Sequence, residues 1–174
     1  MRLQQMIIGM VLILSFGVSQ AGEARHFLGI YNDSYSDDDM SANSYQYGYD
    51  FSNLMSLEFN YSAPDVTGDT ADVLSVNSLS SLMMRFNYRY ESINTYFMVG
   101  AAFIDYSVIS PASDETETGV SYGVGIELYG SKNTAISFTW STSEFEKDGS
   151  VAELDTTKIG LIHHFDFGKT YKRY

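Results

Sequence analysis

The feature that most constrains this chain is an alternation of large apolar residues with small or polar ones at every second position. Tyr45, Tyr47, Tyr49 and Phe51 alternate with Gln46, Gly48 and Asp50. Leu57, Phe59 and Tyr61 alternate with Glu58, Asn60 and Ser62. The same beat runs through Leu82, Met84, Phe86, Tyr88 and Tyr90, then Val120 to Leu128, Ile136 to Trp140, and Ile159 to Phe167. A period of two places successive side chains on opposite faces of a strand, whereas an amphipathic helix would repeat every three to four residues. Two further segments are strand-like. Residues 25–31 carry Leu28 and Ile30 on one face, and residues 95–108 lose their phase around Gly100, Ala101 and Ala102, where a β-bulge would account for the blur. The total is eight strands, an even number, as an antiparallel barrel with both ends on one side requires.

The connections add a second constraint. Short turns are expected at Ser52-Asn53-Leu54, at Glu91-Ser92-Ile93-Asn94 and at Gly130-Ser131-Lys132-Asn133. Longer polar loops are expected over residues 32–43, 63–74, 110–118 and 145–154. Short turns at one end and long loops at the other are a membrane-barrel pattern, and a soluble β-sandwich has no reason to keep that order.

The first residues bear on location. Arg2 precedes an apolar run over residues 6–18, about the length of a signal-peptide core. Ser19-Gln20-Ala21 then supplies small residues where a signal peptidase reads them, so cleavage is expected after Ala21. No Cys follows the run, which excludes a lipoprotein anchor, and the absence of Cys throughout excludes disulfides and thiolate metal sites. The net charge of -12 argues against nucleic acid, which needs a basic face to displace phosphate counterions. The expected organisation is a signal peptide over 1–21, a barrel over 22–168 and a short basic periplasmic tail over 169–174 with Lys169, Lys172 and Arg173.

Alternation alone does not say which face is outward. One face carries large rings, and the other carries Gly, Ser, Thr and a few charges. A narrow eight-stranded barrel is filled by side chains, so the small-residue face is assigned to the interior and the bulky face to lipid. With the N-terminus periplasmic, Tyr45, Tyr61, Tyr106 and Tyr122 fall near the outer interface, and Phe51, Tyr88, Tyr90, Phe165 and Phe167 near the inner one. These are the aromatic girdles expected where rings meet headgroups.

The export signal, the eight alternating segments and Gly-rich stretches such as Tyr122-Gly123-Val124-Gly125-Ile126 resemble the small eight-stranded outer-membrane barrels of the OmpA transmembrane-domain and OmpX/Ail type. The resemblance covers nearly the whole mature chain. It implies an all-β, up-and-down transmembrane barrel in the outer membrane, monomeric, without a cofactor. It also implies contact with outer-membrane lipids, lipopolysaccharide and the barrel-assembly machinery. The chain departs from the group in its ending, where Phe165 and Phe167 are followed by Gly168 to Tyr174.

Three constellations could carry chemistry. Asp50, Glu58, Arg85, Arg89, Glu127 and Lys158 all fall on the interior face, where a desolvated charge needs a partner. Glu58 and Glu127 are expected to meet Arg85 and Lys158, forming either a polar plug or a gated ion path. The loop carboxylates, Asp37, Asp38, Asp39, Asp114, Glu115 and Glu117 among them, could hold divalent cations through oxygen, although none has EF-hand spacing. The alternative is a solvated acidic surface. His163 and His164 are strand neighbours and point to opposite faces, so they do not chelate one metal together. Outer-membrane lipid A deacylases of this barrel size use a His and a Ser on the outer wall; here no His-x-Ser accompanies His163, and no catalytic residue is assigned. The expected role is non-enzymatic and structural or interactive, through envelope integrity, adhesion or resistance. Any surface ligand would be read by the loops. A lipid-modifying enzyme and a narrow pore for small solutes are the alternatives.

Overall fold

The alternation resolves into one closed antiparallel sheet in a computed structural model that describes residues 25–36, 40–66, 74–108, 113–147 and 150–165. Nine strands follow in chain order: β1 (Arg25–Tyr35), β2 (Met40–Asp50), β3 (Met55–Ser62), β4 (Asp65–Val66), β5 (Leu74–Tyr90), β6 (Ile93–Val108), β7 (Ser113–Tyr129), β8 (Thr134–Lys147) and β9 (Ser150–Phe165). β4 keeps the register of β3 against β2: Ser62 pairs with Ser44, and Val66 with Met40. The interruption falls at Ala63 and Pro64, and a proline has no N–H to give to a ladder. β3 and β4 are therefore one wall strand, and the wall has eight. Each strand pairs with its sequence neighbour, and β9 pairs with β1 to close the barrel. Closure leaves no sheet edge, which a lipid environment demands because nothing there satisfies an open row of N–H and C=O groups. No helix among the described residues is long and apolar enough to cross a membrane.

Tight turns define one end of the barrel, the turn end. At residues 51–54 the Ser52 hydroxyl accepts from the Leu54 and Met55 amides. Glu91-Ser92 joins β5 to β6, with Glu91 in the left-handed region at φ 50°. At residues 130–133 Ser131 caps the Asn133 and Thr134 amides.

The opposite end differs from the expectation of four long loops. β1 runs to Tyr35 and β2 resumes at Met40; β6 runs to Val108 and β7 resumes at Ser113; only residues 148–149 separate β8 from β9. The described parts of these acidic and hydroxylic runs are strand extensions. Ladder bonds come from the backbone whatever the side chain, and matched cross-strand polar pairs make these residues compatible with a sheet. Thr142 donates to Asp155 at 2.6 Å, Tyr122 to Glu144 at 2.8 Å, and Thr116 to Asp105 at 2.6 Å.

The phase of the long strands is also corrected. β6 is unbroken through Gly100, Ala101 and Ala102, which pair in order with Met83, Leu82 and Ser81. The irregularity lies in the facing strand, between Val76 and Ser78. Gly100 is small for another reason: a Cβ there would lie 2.0 Å from the Leu82 carbonyl oxygen. The extra residue, Asn77, switches the phase of β5, so Val76 and Leu79 both face inward.

The outward face is apolar. Leu28, Ile30, Phe97, Val124, Trp140 and Leu161 are all exposed there. Tyr45, Tyr61 and Tyr122 lie outward toward the loop end, and Tyr88 and Tyr90 toward the turn end. Tyr106, expected in a girdle, instead packs inward beside Ile104 against the interior cluster of Tyr35, Val76, Leu79 and Phe145, because the unbroken β6 keeps residues 102, 104 and 106 on one face.

The interior is less uniformly small than expected. Phe27, Tyr31, Tyr35, Tyr96 and Phe145 are buried inside it. Glycines on adjacent strands clear the space. A Cβ at Gly48 would lie 2.0 Å from the Phe27 ring, and one at Gly125 would lie 2.3 Å from the Tyr96 ring. Residues 1–21, expected to be a signal peptide, residues 169–174, expected to be a tail, and Phe167, Asp37, Asp38 and Asp39 lie outside the described residues.

Candidate functional site in the barrel lumen

Polar side chains on alternate positions of β2, β3, β5, β6, β7 and β9 converge in the turn-end half of the lumen. Arg85, on β5, is their centre, with 1 % of its surface exposed. Its guanidinium contacts Glu127 of β7 directly and lies 3.6 Å from Glu58 of β3. Its Nε donates to Asn87 at 2.8 Å, and the carbon of the guanidinium sits 3.6 Å from the Tyr96 ring centroid. A planar cation thus meets two carboxylates at its edge and an aromatic face below, the arrangement a guanidinium suits better than an ammonium.

Neutral groups fill in around the charges. Asn94 donates to Glu127 at 2.9 Å, Asn60 to Glu58 at 3.2 Å, and Asn87 to Ser56 at 2.7 Å. Tyr129 donates to Glu127 at 2.8 Å. Arg89 makes no carboxylate pair among the described contacts; it lies over the Tyr129 ring at 5.2 Å and donates to its hydroxyl at 3.1 Å.

Lys158 is not part of this set. It pairs with Asp33 at 3.3 Å, and Ser44 donates to the same carboxylate at 2.7 Å. The expectation that Lys158 meets Glu58 or Glu127 is corrected: those two are taken up by Arg85, and β1 brings Asp33, read as a loop residue, inward beside Lys158 of β9 as its direct ladder partner. Asp33 was legible only if β1 was allowed to run past Tyr31. Between the two ion-pair sets lies a cavity of about 30 Å³ lined by Glu58, Asn60, Ser81, Thr139 and Lys158, room for about one or two waters.

Asp50 and His164 complete the turn-end group. The Asp50 carboxylate accepts from Ser56 at 2.6 Å, and its other oxygen lies 3.2 Å from Nδ1 of His164. His164 lies inside the barrel with 2 % of its surface exposed, a luminal residue outside the six expected from the sequence. The signal was available: with His163 assigned to lipid, its neighbour must face inward.

The remaining candidates do not converge on a reactive centre. Glu115 and Glu117 sit on β7, and the Tyr106 hydroxyl lies 3.0 Å from Glu115 and 2.5 Å from Glu117, with one hydrogen to share between them. Asp114 is paired through its backbone in the same strand, and its side chain lies outside the described residues. No group of three His, Asp or Glu among the described residues is placed to hold a metal ion. His163 faces outward with Nδ1 2.8 Å from the Thr134 hydroxyl. Among the described contacts no carboxylate or amide orients that imidazole from its other side, as a general base requires.

Comparison with known proteins agrees with this architecture. The N-terminal β-barrel domain of Pseudomonas aeruginosa OprF is 14 % identical, with a TM-score of 0.66 over 81 % of this chain and 97 % of that one. Yersinia pestis Ail, the attachment invasion locus protein, is 17 % identical, with a TM-score of 0.58 over 84 % of this chain and 100 % of that one. Pseudomonas aeruginosa OprG is 10 % identical, with a TM-score of 0.59 over 84 % and 97 %. At such identities the likeness is one of fold. A search of curated proteins returns no match. A family model for the outer membrane protein beta-barrel domain matches residues 14–165, so the chain belongs to the outer-membrane β-barrel family.

Proposed function

We propose that the chain is a non-enzymatic structural protein of the outer membrane, whose wall anchors it in lipid and whose lumen is closed. The observation that carries this reading is the filling of the lumen along its length. The Arg85 network occupies the turn-end half, Asp33 and Lys158 follow, and Tyr35, Val76, Leu79, Ala102 and Phe145 pack an apolar cluster into the loop end. An ion entering from the loop end would shed its hydration against that cluster before reaching Asp33 and Lys158 or the Arg85 network, and a desolvated ion is costly. The pore alternative therefore has less support than the plug. With the signal peptide removed, the turn end faces the periplasm and the extended strands face outward. Assembly by the barrel-assembly machinery, contact with lipopolysaccharide and a monomeric state are part of the same proposal, supported by the family match.

A second reading rests on the loop-end carboxylates. Glu144 stands directly opposite Glu153, next to the Thr142–Asp155 pair, so the rim bears a clustered negative charge. Ail has been seen in complex with the heparin analogue sucrose octasulfate. The rim of this chain would repel such a polyanion, so a surface partner here is cationic or bridged by cations. Planar-bilayer recording of the purified chain tests the first reading: stable conductance steps at neutral pH would contradict it. Deletion-strain sensitivity to detergent, unchanged from the parent, would remove the envelope role.

A further inference from the structure

The apolar belt on the outside of the wall is uneven in height. Following ladder partners once round the barrel from Arg25 leads back to β1 at Tyr35, ten residues further on. The wall strands share that stagger, so residues at one level sit about 1.25 positions nearer the turn end with each strand crossed. The ladder row through Leu28 meets β6, on the opposite wall, at Ala101. Half a circuit of stagger is about five residues, which puts Tyr96 level with Leu28 and Gly100 level with Asn32.

On β1 the outward face changes from Ile30 to Asn32 and Ser34. On β6 it stays apolar through Phe97, Val99, Ala101 and Phe103 and changes only at Asp105. The loop-end edge of the belt is therefore lower on β1 by about five residues, or about 12 Å along the barrel axis at ~3.3 Å per residue and a strand tilt of about 40°. Flanking strands follow the same trend. Tyr45 gives way to Asn43 on β2 and Ile159 to Thr157 on β9, whereas Val120 carries the belt upward on β7. The turn-end edge is level, since the same count places Phe165 of β9 and Ile93 of β6 at one height. The belt is a wedge, thin at β9–β1–β2 and tall at β6, and no rigid tilt levels both edges of a wedge.

A groove of about 430 Å³ lies at the loop-end edge of the thin face. Ile30, Tyr45 and Leu161 line its apolar part. Asn32 and Asn43, direct ladder partners, line its polar part. Both carboxamides are exposed, and the outward neighbours Ser34, Ser41 and Thr157 carry no charge.

We propose that this groove seats a membrane lipid, with its acyl chain on Ile30 and Leu161 and its ester carbonyls on the two carboxamides, and that the bilayer is thinned locally against β9–β1–β2. The proposal rests on the reading that the wall stands in lipid. A carboxamide N–H donates to an ester carbonyl, and no charge on this face asks for a counter-ion. Polar groups held among acyl chains are costly, so a wall shorter than the hydrocarbon draws the ester layer down to meet them. At the same level of β6, Val99 and Ala101 keep the acyl chains in place.

The test uses the full chain, labelled with nitrogen-15, in nanodiscs of dimyristoylphosphatidylcholine doped with a phosphatidylethanolamine that carries a gadolinium chelate on its headgroup. The backbone amide signals of Asn32 and Asn43 are expected to broaden strongly while those of Gly100 and Ala101 stay sharp. Phe165 and Ile93, at the turn end, should broaden alike. In N32L/N43L the broadening should retreat to Ser34 and Ser41. Equal broadening at Asn32 and Gly100 would overturn the proposal, as would an unchanged pattern in N32L/N43L. Unequal broadening at Phe165 and Ile93 would mean a tilted barrel in a flat bilayer and would overturn it too. The chain has no Cys, so N32C carries a single thiol, and a disulfide-linked dimer of it in vesicles would assign the face to a second copy instead. A chain that enters the disc and shows level headgroups sinks this proposal alone, whereas a chain that never enters the disc sinks the membrane reading with it.

Discussion

Replacing Arg85 with Met removes the central luminal charge while keeping much of the side chain's length. Arg85 is 1 % exposed, and its two carboxylate partners, Glu127 and Glu58, are 0 % and 2 % exposed. Neither can turn to bulk water once the cation is gone. Breaking a buried pair by removing one partner costs about 3–5 kcal/mol. Asn94 and Tyr129 still donate to Glu127 and soften the loss, while the contact with the Tyr96 ring at 3.6 Å is forfeited. A loss of about 4 kcal/mol with a urea slope of about 2 kcal/mol/M moves the midpoint down by about 2 M. The assay is reversible urea unfolding of the chain in lipid vesicles, read from Trp140, the single tryptophan. The triple variant E58Q/R85M/E127Q removes all three charges together and should recover most of the loss, since the penalty is for stranded anions and not for the absence of a salt bridge. The reasoning is refuted if R85M unfolds within about 0.5 kcal/mol of the wild type, the range of an ordinary surface change. It is equally refuted if the triple variant is no more stable than R85M.

Other outcomes follow from single contacts. Gly48→Ala places a methyl group 2.0 Å from the Phe27 ring, so it should cost about 1–3 kcal/mol, and Phe27→Leu in the same chain should restore part of it in the same unfolding assay. Lys158→Met removes the cation beside Asp33, which keeps the Ser44 donor and a long contact from the Tyr35 hydroxyl at 3.5 Å, and should lower stability by about 1–3 kcal/mol, with Asp33→Asn in the same chain recovering it. In planar bilayers the wild type should give no stable conductance steps, and replacing Phe145 of the apolar cluster with Ser should not by itself open the path while Arg85 remains. Steps in that variant would place the barrier at the loop end alone.

The alternation of large and small residues made the barrel legible because a period of two is geometric. It holds wherever the two faces meet different surroundings, and along β2, β3 and β8 they do. The strand ends were not legible at the loop end. There both faces are polar, as in the residues around Glu115 and Glu117, and a strand solvated on both sides has no period to read. The interior rings were hidden for a related reason. Along β1, Phe27, Tyr31 and Tyr35 alternate with Leu28 and Ile30, so size does not separate the faces. Gly48 and its neighbours give the clue, since each marks a place where a ring from the next strand must lie. The luminal charges were identifiable by parity alone, but their pairing was not. Whether Lys158 meets Glu58 or Asp33 depends on the stagger of the strands around the closed barrel, and no local pattern encodes that.

Insertion of the apolar wall into lipid is the claim on which the rest depends. Trp140 reports it directly, because it is the single tryptophan and lies on the outward face with 47 % of its surface exposed. The measurement is quenching of its fluorescence in phospholipid vesicles brominated along the acyl chain, against quenching by iodide in the water phase. The account predicts strong quenching by the acyl bromines and little by iodide. Efficient iodide quenching with indifference to brominated lipid would mean that the face turned toward lipid here is turned toward water.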